Sequence, residues 1–244
     1  SEKLNHEGMH VIGVAAKRKN AGDTAVFHAE DETDMTFLGI IAFLDPPKPD
    51  AKEAIHGLYD AGVNVKVISG DAPVVVEHVC KLVGMKVGEQ NSVTGSDLEK
   101  MSEEELSRVV DKNDIFARLS PMQKQRVVDA LRKNGHVVGY MGDGVNDAPS
   151  LHDADVGISV DNATDVAKAS ADIILLEKSL TVILNGIYEG RRIYGNILKY
   201  MKMALSGNFG NVFSVLIASI FLPFLPILPL QILIQNLIYD FTKI

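Results

Sequence analysis

Between Tyr140 and Val160 the chain packs four aspartates, Asp143, Asp147, Asp153 and Asp155, around the glycines Gly142 and Gly144. Carboxylates this close repel one another unless something cationic sits among them. Asp143 and Asp147 flank tight glycine turns, which suits a hard cation such as Mg²⁺, since that ion takes few carboxylates and adds substrate oxygens. A structural loop of Asx-turns is the competing reading, and Gly-Asp-Gly alone would favour it. Asp153 and Asp155, on the exit toward the next apolar run, are expected to cap and turn the chain. Two other places carry related chemistry. In Val67-Ile-Ser-Gly-Asp, the Ser69 hydroxyl and Gly70 amide could hydrogen-bond an anion, although serine and glycine commonly just make turns. Lys124 follows Phe116-Ala-Arg-Leu-Ser-Pro by one helical turn and could bring a point charge to the same edge, although most helical lysines are solvated. Each signal is weak alone. Three in this order, each after an apolar run, are far more specific.

The elements that must position them alternate. Phe37–Leu44, Val65–Ser69, Ile115–Leu119, Val137–Met141, Val156–Val160 and Ile173–Leu176 read as strands. Asp50–Ala61, Pro73–Val83, Asp97–Val110, Pro121–Lys133 and a short stretch after Asp147 read as helices. Pro121 suits a first helical position, and Ser102 with Glu105 reads as a capping box. Such alternation predicts an α/β fold with a Rossmann-like parallel sheet covered on both faces, with ligands beyond the carboxyl ends of its strands. Residues 1–34 are strand-like and turn-rich, with Met9–Ala16 the best strand, and do not make a domain alone. There is no internal repeat or low-complexity tract.

A length of 244 residues allows one or two domains, and a net charge of −8 argues against a nucleic-acid surface. The single cysteine, Cys80, excludes an internal disulfide and reads as a small buried hydrophobe among valines. No signal peptide opens the chain, which begins at Ser1 as if in the middle of something longer.

Charged residues stop at Lys202 and return only at Asp240. As a helix that stretch would run roughly 55 Å, well beyond the ~30 Å hydrocarbon core, and Pro223, Pro226 and Pro229 would divide it. Met203–Leu222 reads as one membrane helix and Leu230 onward as a second, returning, with a buried core helix as the bland alternative. Arg191, Arg192 and Lys199 beside the first span place the α/β domain in the cytoplasm. Asp240 would then lie inside the membrane region, where a carboxylate costs about 2.5–3.5 kcal/mol and is functional by default. Asn236 precedes it by one turn on the same face. Asn211 lies in the preceding span, where asparagines also bond helix to helix.

Ser69-Gly-Asp, Lys124 and Gly142-Asp-Gly-Val-Asn-Asp resemble the second, third and fourth motifs of haloacid-dehalogenase-type phosphotransferases. Asp45-Pro-Pro-Lys, Phe116-Ala-Arg-Leu-Ser-Pro and Met141-Gly-Asp-Gly-Val-Asn-Asp-Ala-Pro narrow the resemblance to P-type ATPases. Asn196-Ile-Leu-Lys-Tyr-Met-Lys-Met, Asn208-Phe-Gly-Asn-Val-Phe-Ser-Val and Leu222-Pro-Phe-Leu-Pro-Ile-Leu-Pro-Leu are most similar to the bacterial magnesium-transporting members. The resemblance implies a division into a remnant of a nucleotide-binding domain (1–44), a phosphorylation domain (45–182), a cytoplasmic stalk helix (183–202) and a transmembrane hairpin (203–244). It implies a multi-pass protein of the plasma membrane, with ATP, Mg²⁺ and the lipid bilayer as partners and no nucleic acid.

The same resemblance implies roles for single residues. Asp143 would bind the catalytic Mg²⁺, with Asp147 and Asn146 completing that site. Ser69 and Gly70 would bond the phosphoryl oxygens, Lys124 would offset their charge, and Asp71 and Arg118 would lie near the nucleotide. Asn211 and Asp240 would contribute to the transported-ion site, with Asn236 lining it. The family's nucleophile sits in an Asp-Lys-Thr-Gly-Thr string that this sequence lacks, as it lacks the Thr-Gly-Glu-Ser element. Asp111-Lys-Asn follows a polar helix and is rejected as a substitute. Asp45 follows an apolar strand, but Pro47 stands where a soluble phosphatase would carry its second aspartate. The nucleophile is therefore expected upstream, and this polypeptide alone is not expected to form a phosphoenzyme. A membrane-tethered phosphatase and a non-catalytic partner of a pump are the alternative readings.

Overall fold

The computed structural model describes residues 9–18, 28, 32–44, 46–85, 87, 92–177, 179–224 and 226–242. They divide into two units, Ser1–Leu184 and Asn185–Ile244. Asp45 and most of residues 1–34 lie outside the described residues, as does the side chain of Asp240.

In the first unit, strand β1 (Met9–Ala16) pairs antiparallel with β2 (Thr36–Leu44), Met9 opposite Leu44 and Ala16 opposite Thr36. This corrects the sequence reading, which put Phe37–Leu44 in the parallel sheet. Its apolar run suggests burial on both faces, yet Phe37 and Leu38 are each 65% exposed. Its ladder partner is the preceding strand rather than β3, and side chains on both of its faces are exposed among the described residues.

The parallel strands are β3 (Val67–Ile68), β4 (Ser92–Thr94) and β5 (Ile115–Ala117), in the order β3-β5-β4, and β6 (Gly139–Met141), β7 (Val156–Val160) and β8 (Ile173–Leu175), in the order β6-β7-β8. Around them lie α1 (Ala51–Asp60), α2 (Pro73–Leu82), α3 (Gly95–Leu98), α4 (Glu103–Lys112), α5 (Pro121–Lys133), α6 (Ala148–Asp153) and α7 (Asp165–Ser170). Alternation along β5 shows why both faces are covered. Phe116 points into a cluster with Leu98, Leu106, Val110 and Val127, whereas Ile115 and Ala117 point the other way, to Ile55, Val76 and Cys80. Phe116 is fully buried, and truncation of such a ring typically costs about 3–5 kcal/mol. Ile68 and Val138 pack against both the Phe116 cluster and a third one around Val128, Tyr140, Leu151 and Ala167, which joins the two sets of strands. Cys80 is buried as expected, and burial, with Glu77 and Asp114 nearby, pushes its thiol up to about 11.

Two local readings change. The helix expected over Asp97–Val110 is two helices: the first stops at Leu98, and Ser102 in an extended cap conformation (φ −67°, ψ 163°) starts the second. Ser102 and Glu105 do form the reciprocal capping box. Strand β4 is new: Ser92-Val-Thr has no apolar run to announce it, and only its ladder to β5 makes it a strand. Ser120 caps α5 with Pro121 in its first turn, as the sequence suggests.

Helix α8 (Thr181–Phe221) is continuous for 41 residues and, by length and composition, is long and apolar enough to cross a membrane. Within the second unit it is followed by α9 (Pro229–Thr242), 14 residues or about 21 Å of helix. Gln235 Nε2 donates to Asn211 Oδ1 at 2.9 Å and ties the two helices.

Candidate functional site

Strand β3 ends at Ile68, just before Ser69, and β5 at Ala117, side by side in one parallel ladder, so the residues after them meet at the same carboxyl edge. Backbone bonds lock the two exits together: Ser69 N–H donates to Phe116 O at 2.8 Å, Leu119 N–H to Ser69 O at 3.0 Å and Arg118 N–H to Asp71 O at 2.9 Å. The Ser69 hydroxyl donates to Asp71 Oδ2 at 2.8 Å and accepts the Asp71 amide at 3.1 Å. Arg118 is held at φ 55°, a left-handed conformation that costs a non-glycine residue about 1–2 kcal/mol. Gly70 is exposed, and a Cβ there would meet only Leu119 O at an ordinary 3.6 Å. The fold does not require glycine at that point.

Helix α5 carries Lys124 from this edge to the loop after β6. Lys124 Nζ lies 2.8 Å from Asp147 Oδ1, with the two side chains 13% and 14% exposed. The Tyr140 hydroxyl donates to the same Oδ1 at 3.0 Å, and the Gly144 amide to Oδ2 at 3.3 Å. Burial would raise the Asp147 carboxyl, but Lys124, Tyr140 and the Gly144 amide outweigh it and hold the group below the usual carboxylate range. Burial, then the Asp147 charge, pushes the Tyr140 phenol up; Ser150 acts weakly the other way without a hydrogen bond of ordinary geometry. Gly142 lets the loop fold this tightly, because a Cβ would lie 2.5 Å from Asp147 Cβ.

Asp143 stands exposed at the loop tip, on a backbone held from two sides. Its carbonyl accepts the Thr164 amide at 3.0 Å and the Thr164 hydroxyl at 3.3 Å, while Gly142 N–H and O bond Ile158 O and Ser159 Oγ. Asn146 is exposed in the 3₁₀ turn Val145–Asp147. Asp153 and Asp155 are structural: Asp153 accepts from Gln125 of α5, and Asp155 accepts from Arg132 Nε and the Val138 amide.

The structure thus gathers Ser69, Asp71 and Arg118 into one locked junction and Lys124 and Asp147 into one ion pair, with α5 running between them. In the second unit, Asn211 engages Gln235, while Asn236 is exposed on α9 and Asp240 lies one turn further along that helix. Tyr140, Thr164 and Gln235 were not singled out from sequence. Tyr140 is hidden in an apolar strand, Thr164 acts through a carbonyl, and Gln235 needs its partner helix to be seen.

The single parallel sheet expected from the sequence is, among the described residues, two three-stranded parallel sheets, with the serine turn leaving one and the aspartate loop leaving the other, which defines an α/β class of fold. The haloacid dehalogenase-like hydrolases match residues 8–155, and the chain belongs to that family. Over its whole length it is 51% identical to the Magnesium-transporting ATPase, P-type 1, of Salmonella typhimurium and 52% identical to the protein of the same name in Escherichia coli. A Calcium-transporting ATPase of Bacillus subtilis is 37% identical over 97% of the chain. The chain spans 27% of the length of each of these relatives.

The donor set fits Mg²⁺. Asp143 offers an exposed carboxylate on a pinned backbone, beside a second carboxylate partly neutralised by Lys124. Among the described residues no group of three or more His, Cys, Asp or Glu could form a cage. An ion held by one or two carboxylates and shared with substrate oxygens matches that set.

Proposed function

We propose that this chain is part of an ATP-driven P-type cation pump that imports Mg²⁺ across the plasma membrane through an aspartyl-phosphate intermediate. The observation that carries the reading is the half-buried Lys124–Asp147 pair beside the exposed Asp143, on a family-matched sheet edge. The γ-phosphoryl group passes from ATP to an aspartate carboxylate, leaving ADP, with the acceptor outside this sequence. Ser69 and Gly70 bond the phosphoryl oxygens and Lys124 offsets their charge, the positioning and electrostatic work that phosphoryl transfer needs. Asp143 holds Mg²⁺, with Asp147 and Asn146 completing the site; the bound ion would neutralise charge on the transferring group. Asp71 and Arg118 lie near the nucleotide, where the locked backbone at Arg118 fixes the direction of its side chain.

Residues 1–44 belong to a nucleotide-binding domain, 45–182 to the phosphorylation domain, 183–202 to a stalk helix and 203–244 to a transmembrane hairpin. Support for the hairpin comes from the length and composition of α8 and from the Gln235–Asn211 bond. Asn211, Asn236 and Asp240 contribute to the path of the transported ion. One carboxylate with neutral oxygen donors suits a cation that keeps some of its water.

The test is Asp143→Asn in the full-length protein. Phosphorylation from ATP is expected to be abolished, because the Mg²⁺ site loses its charged ligand while Thr164 still holds the backbone. Wild-type phosphoenzyme levels in that variant would refute the assignment.

A further inference from the structure

We propose that Tyr140 is a positioning residue for phosphoryl transfer, whose hydroxyl holds Asp147 in place while Lys124 leaves that carboxylate for the phosphoryl group. The inference rests on the phosphoryl-transfer reading above. Lys124 Nζ and the Tyr140 hydroxyl end on the same oxygen, Asp147 Oδ1, at 2.8 Å and 3.0 Å, and the Gly144 amide takes Oδ2 at 3.3 Å. An ammonium locked in a half-buried ion pair is not available to a phosphate, and pulling it away leaves a largely buried carboxylate uncompensated. The cost of that separation depends on what remains bound to Asp147. With Tyr140 in place, a donor stays on each oxygen.

The tyrosine is built for this. Its residue is 7% exposed and packs among Val128, Leu151, Ala154 and Ala167, so the ring is fixed by the core and only the hydroxyl faces the site. Phenylalanine would fill the same space; the hydroxyl is what Asp147 uses. Ser150, fully buried in the same region, has a hydroxyl with no hydrogen-bond partner among the described residues and gives Asp147 no substitute donor.

The experiment is Tyr140→Phe in the full-length protein, which keeps the ring and removes one donor. The rate constant for phosphoenzyme formation at saturating ATP is expected to fall about tenfold, the order of one hydrogen bond to a charged group, with the KM for ATP unchanged. A second measurement needs neither metal nor turnover: thermal unfolding in EDTA of Tyr140→Phe, Lys124→Met and the double variant. Because both groups act on one oxygen, the two losses in Tm are expected to be non-additive. A wild-type rate in Tyr140→Phe, or additive losses, overturns the inference. If the wild-type protein itself forms no phosphoenzyme, the phosphoryl-transfer reading falls and this inference falls with it.

Discussion

Gly142 decides how far Asp147 can fold back toward its donors. A methyl group there would sit 2.5 Å from Asp147 Cβ and 2.8 Å from Cγ, closer than such atoms can pack. Gly142→Ala is therefore expected to push Asp147 off Lys124 and to cost about 1–3 kcal/mol by overpacking. Denaturant unfolding gives the loss, and a variant as stable as the wild type would show that the loop relaxes without it. At this scale the sequence is informative about charged and turn-forming residues. Asp143, Asp147, Ser69 and Lys124 stand out because polar groups after apolar strands face a ligand edge. What it conceals is pairing across space. Nothing in the string around Lys124 says that its ammonium meets a carboxylate 23 positions later in the chain, and nothing in an apolar strand says that one tyrosine points its hydroxyl at that carboxylate.

Among the elements, α5 does most to assemble the site, since its first turn holds Lys124. Ser120 accepts the Gln123 amide at 3.4 Å while Gln123 Oε1 accepts the Ser120 amide at 2.9 Å. Gln123 Nε2 reaches on to Gly95 O, so the cap also fixes the exit of β4. Ser120→Ala is expected to cost about 1 kcal/mol of stability and to slow phosphoenzyme formation, because the fraying turn is the one that aims Lys124. Unfolding curves alongside phosphorylation rates check both; lost stability at an unchanged rate would separate the cap from the site. This start was readable from Pro121, whereas Ser102 and Glu105 were legible as a capping box inside a helix expected to begin at Asp97. Strand β4 was not readable, because three residues of Ser-Val-Thr carry no period. The antiparallel partner of β2 was hidden for a similar reason, since an apolar strand does not name its neighbour. Asp50 makes a long-range tie: its carboxylate accepts the Ser179 hydroxyl at 2.7 Å and the Leu180 amide at 2.8 Å, just ahead of α8. An acidic group there also suits the positive end of the long helix.

For the whole molecule, the proposed activity needs two separable halves, one for phosphoryl chemistry and one for the ion. Asp240→Asn in the full-length protein is expected to leave phosphorylation chemistry intact but to impair Mg²⁺ uptake, since the neutral side chain removes the one carboxylate on α9. Uptake assays paired with phosphoenzyme levels distinguish the halves, and unchanged uptake would count against the ion-path assignment. The apolar stretch after Lys202 was plain in the sequence, because absence of charge over that length is a strong constraint. The Asn211–Gln235 bond was not, because two amides far apart in sequence meet only when the helices pack.

Cys80 has a practical consequence at this scale. It is 1% exposed, and its thiol is held protonated well above neutral pH, so maleimides have no thiolate to attack within this stretch of the native protein. A cysteine introduced at exposed Asn146 becomes a lone chemical address within this stretch. Labelling it from one side of a sealed vesicle or the other reads out which compartment the first unit faces, with no background from this sequence.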